Sequence, residues 1–221
     1  MSKHIHKDVL PQIEKLELQI DKPIIITDAD EVLFSFMKGL EMYLEEQDMF
    51  FDWSSFALSG NIRTKKDKLP VAQETIPALL DQFFNDYAEH LPAVEGAADS
   101  LERLSKDAQV VVLSNVPPKY AEKRLAGLRK NGMDYPLIAN IGAKGQVVKR
   151  MTDHTDHPAF FIDDIPHNHG SVAEHADRVT RLHYIADERL AKLLGKAEDS
   201  HARLNNWNEI EDHINNTLNR C

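Results

Sequence analysis

Two aspartates, Asp28 and Asp30, stand one residue apart directly after three consecutive isoleucines and a threonine. An unbroken apolar run of this kind predicts a strand that is buried on both faces of a parallel sheet. Side chains alternate along an extended chain, so carboxylates at positions i and i+2 can point the same way. Such a pair could hold a hard cation, divide the work of a nucleophile and an acid–base group, or cap the following helix.

Further polar groups follow apolar stretches elsewhere in the chain. They are Ser114 with Asn115, Lys144 at the start of a helical pattern, and the pair Asp163 and Asp164 with Asn168 beyond it. A strand-end serine alone often caps a helix, and a lone lysine is usually solvated. The adjacent acidic pair is more specific, because like charges so close are costly unless a cation compensates them.

The elements that would position these residues alternate between strand and helix patterns, which predicts an α/β fold with a mostly parallel, doubly wound sheet. Such sheets place their chemistry just past the carboxyl ends of the strands. The predicted strands are 23–27, 109–113, 137–140, 158–162 and 178–184. The predicted helices are 97–106, 118–130, 145–151, 169–176, 187–194 and 207–218.

A long segment separates the first two predicted strands. It has roughly eighty residues, far more than the dozen that a crossover needs. We interpret it as an inserted all-helical subdomain over 34–91, with the α/β core formed by 1–33 and 92–221. The insertion contains seven of the nine phenylalanines. Its aromatic residues predict either a small helical core or a lid whose inner wall selects substrate, and the two are compatible.

The composition sets broad limits on partners and location. The 26 basic and 36 acidic residues give a net charge of −10, which argues against general attraction to nucleic acid or to an anionic membrane. No apolar run approaches the length of a membrane span, and the start of the chain lacks the apolar core of a signal peptide. The single cysteine, Cys221, excludes an intramolecular disulfide. A reducing cytoplasm is therefore the expected compartment.

In chain order, these residues resemble the four motifs of the haloacid dehalogenase (HAD) superfamily, most of whose members are phosphatases. The resemblance covers about residues 22–185. The matches are Asp28, Asp30 and Val32 for the first motif, Ser114 for the second, Lys144 (or Lys149, one turn on) for the third, and Asp163, Asp164 and Asn168 for the fourth. The insertion lies where one branch of the superfamily carries a helical cap.

The resemblance implies a Mg²⁺-dependent phosphatase that acts on a small phosphorylated metabolite. Asp28 would attack phosphorus to form an aspartyl phosphate, and Asp30 would protonate the leaving oxygen and then activate water. Ser114 and the amide of Asn115 would hold phosphoryl oxygens, and Lys144 would neutralise charge. Members that remove halide lack the second aspartate, so Asp30 indicates phosphate esters.

The implied metal ligands are Asp28, the Asp30 carbonyl and Asp164. Asp163 would lie behind them or bind the ion through a water molecule. Asn168 and His167 would support this site, and His167 could also touch the substrate.

Several alternatives stay open from the sequence. A phosphotransferase or mutase would use the same residues, and a non-catalytic module that responds to phosphate shares part of the inventory. Many family members carry glycine where this chain has Glu31, so the freedom of the cap to move is in question. We interpret the charged residues around Arg124 as a solvated helix face. The chain is expected to be a monomer or a homodimer.

Overall fold

A six-stranded parallel sheet forms the centre of the protein. The strands are β1 (Ile24–Thr27), β4 (Gln109–Ser114), β5 (Leu137–Ala139), β6 (Ala159–Asp163), β7 (Thr180–His183) and β8 (Ala202–Arg203). Their order across the sheet is β5-β4-β1-β6-β7-β8. This computed structural model describes residues 4–219, so Cys221 lies outside the described residues. The predicted α/β fold is confirmed, although β8 was not predicted.

Helices cover both faces of the sheet. They are α1 (Leu10–Glu14), α4 (Ala97–Leu104), α5 (Ala121–Lys130), α6 (Gly145–Thr152), α7 (Pro166–His175), α8 (Glu188–Leu193) and α9 (Trp207–Leu218). Ile24 and Ile26 pack in one apolar cluster with α1, α6 and α7. Ile25 points to the opposite face and packs in a second cluster with α4, α5, α8 and α9. The alternation of the isoleucines therefore builds a doubly wound sheet, as predicted.

The segment between β1 and α4 does not consist of helices alone, so the prediction of an all-helical insertion is wrong in this respect. It contains α2 (Phe36–Glu46), β2 (Met49–Phe51), β3 (Ile62–Thr64) and α3 (Ile76–Tyr87). β2 and β3 form an antiparallel pair in which Phe50 lies opposite Arg63. The aromatic and β-branched residues of these two short runs favour extended backbone. The loop between them is tied by Asn61, whose side-chain amide donates to the carbonyls of Ser55 and Ala57.

The inserted segment, residues 34–91, leaves and re-enters the core at one place. The Ser35 amide donates to the Pro92 carbonyl, and the Val94 amide donates to the Leu33 carbonyl, each at 2.8 Å. Phe83 of α3 is fully buried in the same apolar cluster as Ile25 of β1. The segment thus packs directly against the core, above the sheet end where β1 stops. No helix within residues 4–219 is long and apolar enough to cross a membrane.

Candidate active site

The carboxyl ends of three neighbouring strands bring the predicted site residues together. Thr27, the last residue of β1, lies in register with Val112 of β4 on one side and with Ile162 of β6 on the other. Asp28 therefore emerges between the ends of β4 and β6. Its amide donates to the Ile162 carbonyl at 2.8 Å, which fixes the backbone of the first aspartate to the strand that carries the acidic pair.

Lys144 lies between Asp28 of the first motif and Asp163 of the fourth. It stands at the N-terminus of α6, and its Nζ lies 2.7 Å from Asp28 Oδ1 and 2.7 Å from Asp163 Oδ2. The lysine side chain is only 1% exposed. Lys149, the alternative in the sequence, is 45% exposed and pairs with Asp153 instead. Of the two lysines, Lys144 is therefore the one that compensates the charge of Asp28 and Asp163.

The two members of the acidic pair have different surroundings. Asp163 accepts hydrogen bonds from Lys144, from the Ile165 amide (2.9 Å) and from the side chain of Asn168 (3.0 Å). Among residues 4–219, no side chain or amide donates to the Asp164 carboxylate, which is nevertheless buried. The carboxylate oxygens of Asp164 are therefore available to a ligand, whereas those of Asp163 already accept hydrogen bonds within the protein.

Three carboxyl groups of the site surround one lysine, so they carry excess negative charge when all are ionised. Ligand oxygens of Asp28, Asp163 and Asp164 lie within 4.8 Å of one another, and Lys144 is the ammonium that pairs with two of them. Burial raises the pKa of Asp28 to about 7, although Lys144 opposes the shift. Burial and the charge of Asp163 raise the pKa of Asp164 well above its usual range. An oxygen-ligated divalent cation would remove this imbalance, so the residues fit Mg²⁺.

Two buried histidines hold the backbone of the acidic pair from behind. Nε2 of His169 lies 3.0 Å from the Asp163 carbonyl, and Nε2 of His183 lies 3.0 Å from the Asp164 carbonyl. A carbonyl can only accept, so Nε2 carries the proton in both rings. Burial lowers the pKa of His169, and it lowers that of His183 to about 4. Both rings therefore stay neutral and act as fixed donors.

Arg124 is a site residue that the sequence interpretation missed. The prediction placed it on a solvated helix face, but its side chain is fully buried and its Nη2 lies 2.8 Å from Asp30 Oδ1. The contact is off-line, so within the described chain no guanidinium nitrogen makes a well-directed hydrogen bond. The guanidinium packs over Phe34, with 5.0 Å to the ring centroid. Helical spacing from Tyr120 to Leu128 places Arg124 on the apolar side of α5, which is the signal that could have revealed it.

Glu31, at the position where many members of the superfamily carry glycine, is buried and accepts hydrogen bonds from two backbone amides. It has φ = +57°, a left-handed conformation, and is 2% exposed. Its two carboxylate oxygens accept from the amides of Met37 (2.7 Å) and Asp187 (2.8 Å). Burial raises its pKa to about 7. Glu31 therefore links the turn after β1 to the start of α2 in the insertion and to the start of α8 in the core.

The other predicted site residues do not all line the cavity in front of Asp28. Asn115 lines the cavity in front of Asp28 together with Asp30, Lys144 and Asn168. Ser114 is fully buried at the end of β4, and its hydroxyl accepts from the Val116 amide at 3.3 Å. His167 is exposed and borders a separate groove. The structure thus does not bring His167 to the cavity where it was expected.

Comparisons with known proteins identify the fold. No protein-family profile matches the sequence, and no curated protein matches it either. Solved structures do match. A HAD family hydrolase from Deinococcus radiodurans, with bound phosphate and sodium, is 16% identical with a TM-score of 0.56, over 90% of this chain and 97% of that chain. A haloacid dehalogenase-like hydrolase from Streptococcus pneumoniae is 11% identical, with a TM-score of 0.58 over 87% and 98%. An L-2-haloacid dehalogenase is 10% identical, with a TM-score of 0.57 over 87% and 99%.

Proposed function

We propose that this chain, which has the fold of the HAD superfamily, is a Mg²⁺-dependent phosphatase that hydrolyses a small phosphorylated compound. The observation that carries the proposal is the position of Lys144, which lies between Asp28 and Asp163 while the Asp164 carboxylate beside them has no partner among the described residues. A nucleophile, a fixed cation and a vacant acidic ligand at one sheet edge suit in-line phosphoryl transfer.

The residues of the chain would carry the reaction in two steps. In the first, an Asp28 oxygen forms a bond to phosphorus while the ester oxygen leaves and takes a proton from Asp30. In the second, water attacks phosphorus, its proton passes to Asp30, and phosphate departs as the Asp28 carboxylate is restored. Lys144 would hold Asp28 in place and offset the charge of the phosphoryl oxygens, with the amide of Asn115 and Ser114 at the end of β4.

Asp28, Asp164 and the Asp30 carbonyl would hold Mg²⁺, which would supply positive charge to the phosphoryl oxygens. The chain's own contribution is to keep these ligands fixed. Hydrogen bonds from His169 and His183 to the carbonyls of Asp163 and Asp164 would fix the backbone at the end of β6. Outer contacts of this kind orient metal ligands and tune their basicity.

Asp30 supports a phosphate ester over an organic halide as substrate. Its Oδ1 is held against Arg124, whereas the side chain is 22% exposed and lines the cavity. The carboxyl group would then meet a leaving oxygen, which needs a proton, unlike a halide. The structural neighbour from Deinococcus radiodurans holds phosphate, which is consistent with this choice.

The segment 34–91 would serve as a cap over the site. Phe36, Leu80 and Phe84 of this segment line the cavity that Asp28 also lines. A cover of this kind would exclude bulk water during the first step and contact the leaving group.

Hydrolysis of a generic aryl phosphate tests the proposal. Wild-type protein is expected to release phosphate only with Mg²⁺ present, and Asp28→Asn is expected to lose that activity. A mutase or phosphotransferase would release little phosphate without an acceptor alcohol. Release that does not depend on Mg²⁺, or an active Asp28→Asn variant, would refute the assignment.

A further inference from the structure

The cavity in front of Asp28 is lined by polar residues of the core and by apolar residues of the inserted segment. It measures about 280 Å³, and its polar lining comes from the residues of the proposed phosphoryl-transfer site. The inserted segment contributes Phe36, Met37, Phe56, Leu58, Leu80 and Phe84. None of these six side chains has a group that donates or accepts a conventional hydrogen bond. The part of a ligand that contacts these six side chains therefore meets hydrocarbon, aromatic rings and a thioether.

Glu31 adds one polar side chain to the lining contributed near the inserted segment. Its two oxygens accept from the amides of Met37 and Asp187, and each keeps a further lone pair that a ligand hydroxyl could use. One such carboxylate does not satisfy the several hydroxyl groups of a sugar.

The apolar wall is held in place by ring packing. Phe36 lies edge-on to Phe83 at 5.2 Å between ring centroids, and Phe84 stacks on Tyr120 at 6.4 Å. The buried guanidinium of Arg124 lies over the Phe84 ring, 6.0 Å from its centroid. These contacts restrict movement of Phe84 away from the cavity.

We propose that the substrate is a phosphate monoester of an apolar alcohol about one ring in size, and not of a sugar or another polyol. This inference rests on the proposed phosphatase function. A sugar would bury several hydroxyl groups against the six side chains without partners, which is costly. For scale, an apolar cavity of about 150 Å³ accepts benzene. The space here holds a phosphoryl group and one ring.

Three primary alkyl esters test the substrate class with matched leaving groups. They are benzyl phosphate, cyclohexylmethyl phosphate and glucose 6-phosphate, each of which releases a primary alcohol. The expected kcat/KM is about 100-fold or more higher for the two apolar esters than for the sugar ester, the scale on which pockets discriminate such groups. A ratio below about 10-fold, or a preference for the sugar, overturns the inference.

Two variants in α3 test whether the cavity wall causes the expected preference for apolar esters. Leu80→Gln places an amide in the cavity wall and is expected to lower the preference at least about 10-fold. Leu79→Gln makes the same change at the adjacent position, which does not line the cavity, and is expected to keep the wild-type ratio. If Leu80→Gln fails to fold by circular dichroism, Leu58→Gln takes its place. An unchanged ratio in a folded cavity variant also overturns the inference.

Failure of this inference is distinguishable from failure of the proposed function. If glucose 6-phosphate is hydrolysed as well as the apolar esters, with Mg²⁺ dependence, the phosphatase assignment stands and the substrate class is wrong. If an aryl phosphate is cleaved but both apolar alkyl esters are not, the substrate class is again wrong. If none of these esters is cleaved, both are wrong.

Discussion

Replacement of Glu31 by glycine is expected to destabilise the protein, although glycine is the residue that the local backbone would favour. Glu31 has φ = +57°, and this conformation costs a residue with a side chain about 1–2 kcal/mol. Glycine removes that cost. It also removes the acceptors of two amides, one of which belongs to the buried residue Met37.

The free energy lost with these hydrogen bonds and this burial exceeds the free energy gained by relief of the backbone strain. A buried amide left without a partner costs about 1–3 kcal/mol, and the half-buried Asp187 amide about 1 kcal/mol. The two buried methylene groups of Glu31 add about 1.5 kcal/mol. After relief of the backbone strain, the net destabilisation is about 2–4 kcal/mol, or roughly 5–12 °C in Tm for a chain of this length.

Thermal unfolding near pH 4.5 is the appropriate assay. Burial raises the pKa of Glu31 from 4.5 to about 7, so near pH 4.5 the folded side chain is neutral and protonating it on folding costs little, whereas at neutral pH that cost would offset part of the expected loss. Lys68→Gly is the matched control, because Lys68 has φ = +60° but is exposed. That control is expected to change stability by at most about 1 kcal/mol. A Glu31→Gly variant that melts within about 2 °C of wild type would refute the reasoning.

Three further predictions follow from buried charges. Lys144→Met leaves the site carboxylates unpaired and is expected to lower kcat at least about 100-fold, whereas Lys149→Met, at an exposed pair, should behave like wild type. Arg124→Met is expected to destabilise by about 1–3 kcal/mol in chemical unfolding because the buried Oδ1 of Asp30 loses its partner, and Arg129→Met by less than about 1 kcal/mol; equal effects would contradict the burial argument. Burial raises the pKa of Asp28 from 3.8 to about 7, so the metal-free protein should lose stability as pH rises through about 7. Mg²⁺ competes with that proton, so its gain in Tm should be larger near pH 8 than near pH 6, and equal gains would count against the site.

The parts of the site that the sequence predicted are those set by short-range patterns. Three isoleucines determine a buried strand, and the parallel order of the sheet then places Asp28 beside the residues that end β4 and β6. The position of the strand needs only periodicity and the rule that parallel strands end at one edge. The choice of Lys144 over Lys149 came from the resemblance to the third motif, which has a lysine before a helix, and Lys144 is the residue directly before α6.

Arg124 and Glu31 were not predicted because their partners are distant in the chain. Arg124 meets Asp30 across a separation that no local pattern encodes, and charged residues flank it on α5. Glu31 binds the amide of Asp187, 156 residues away. A charged residue can be buried only where tertiary partners compensate it, and a single sequence does not show those partners.

The β2–β3 pair was missed for a related reason. Its strands are three residues each, too short for alternation to distinguish them from helix ends. The intervening loop is fixed by Asn61 through side-chain hydrogen bonds, which no turn motif predicts. The aromatic residues indicated that the segment buries apolar side chains, and Phe83 is buried in the same cluster as Ile25, but they did not indicate the secondary structure of the segment.

The most direct test of the central claim is whether Asp28 accepts a phosphoryl-shaped group in the presence of Mg²⁺. Beryllofluoride forms a tetrahedral adduct with an aspartate oxygen, so this test needs no knowledge of the substrate. With Mg²⁺, wild-type protein is expected to show protein-bound fluorine resonances in ¹⁹F NMR, and Asp28→Asn is expected to show none. Absence of the adduct in wild type, or an equal adduct in Asp28→Asn, would contradict the assignment of Asp28 as nucleophile.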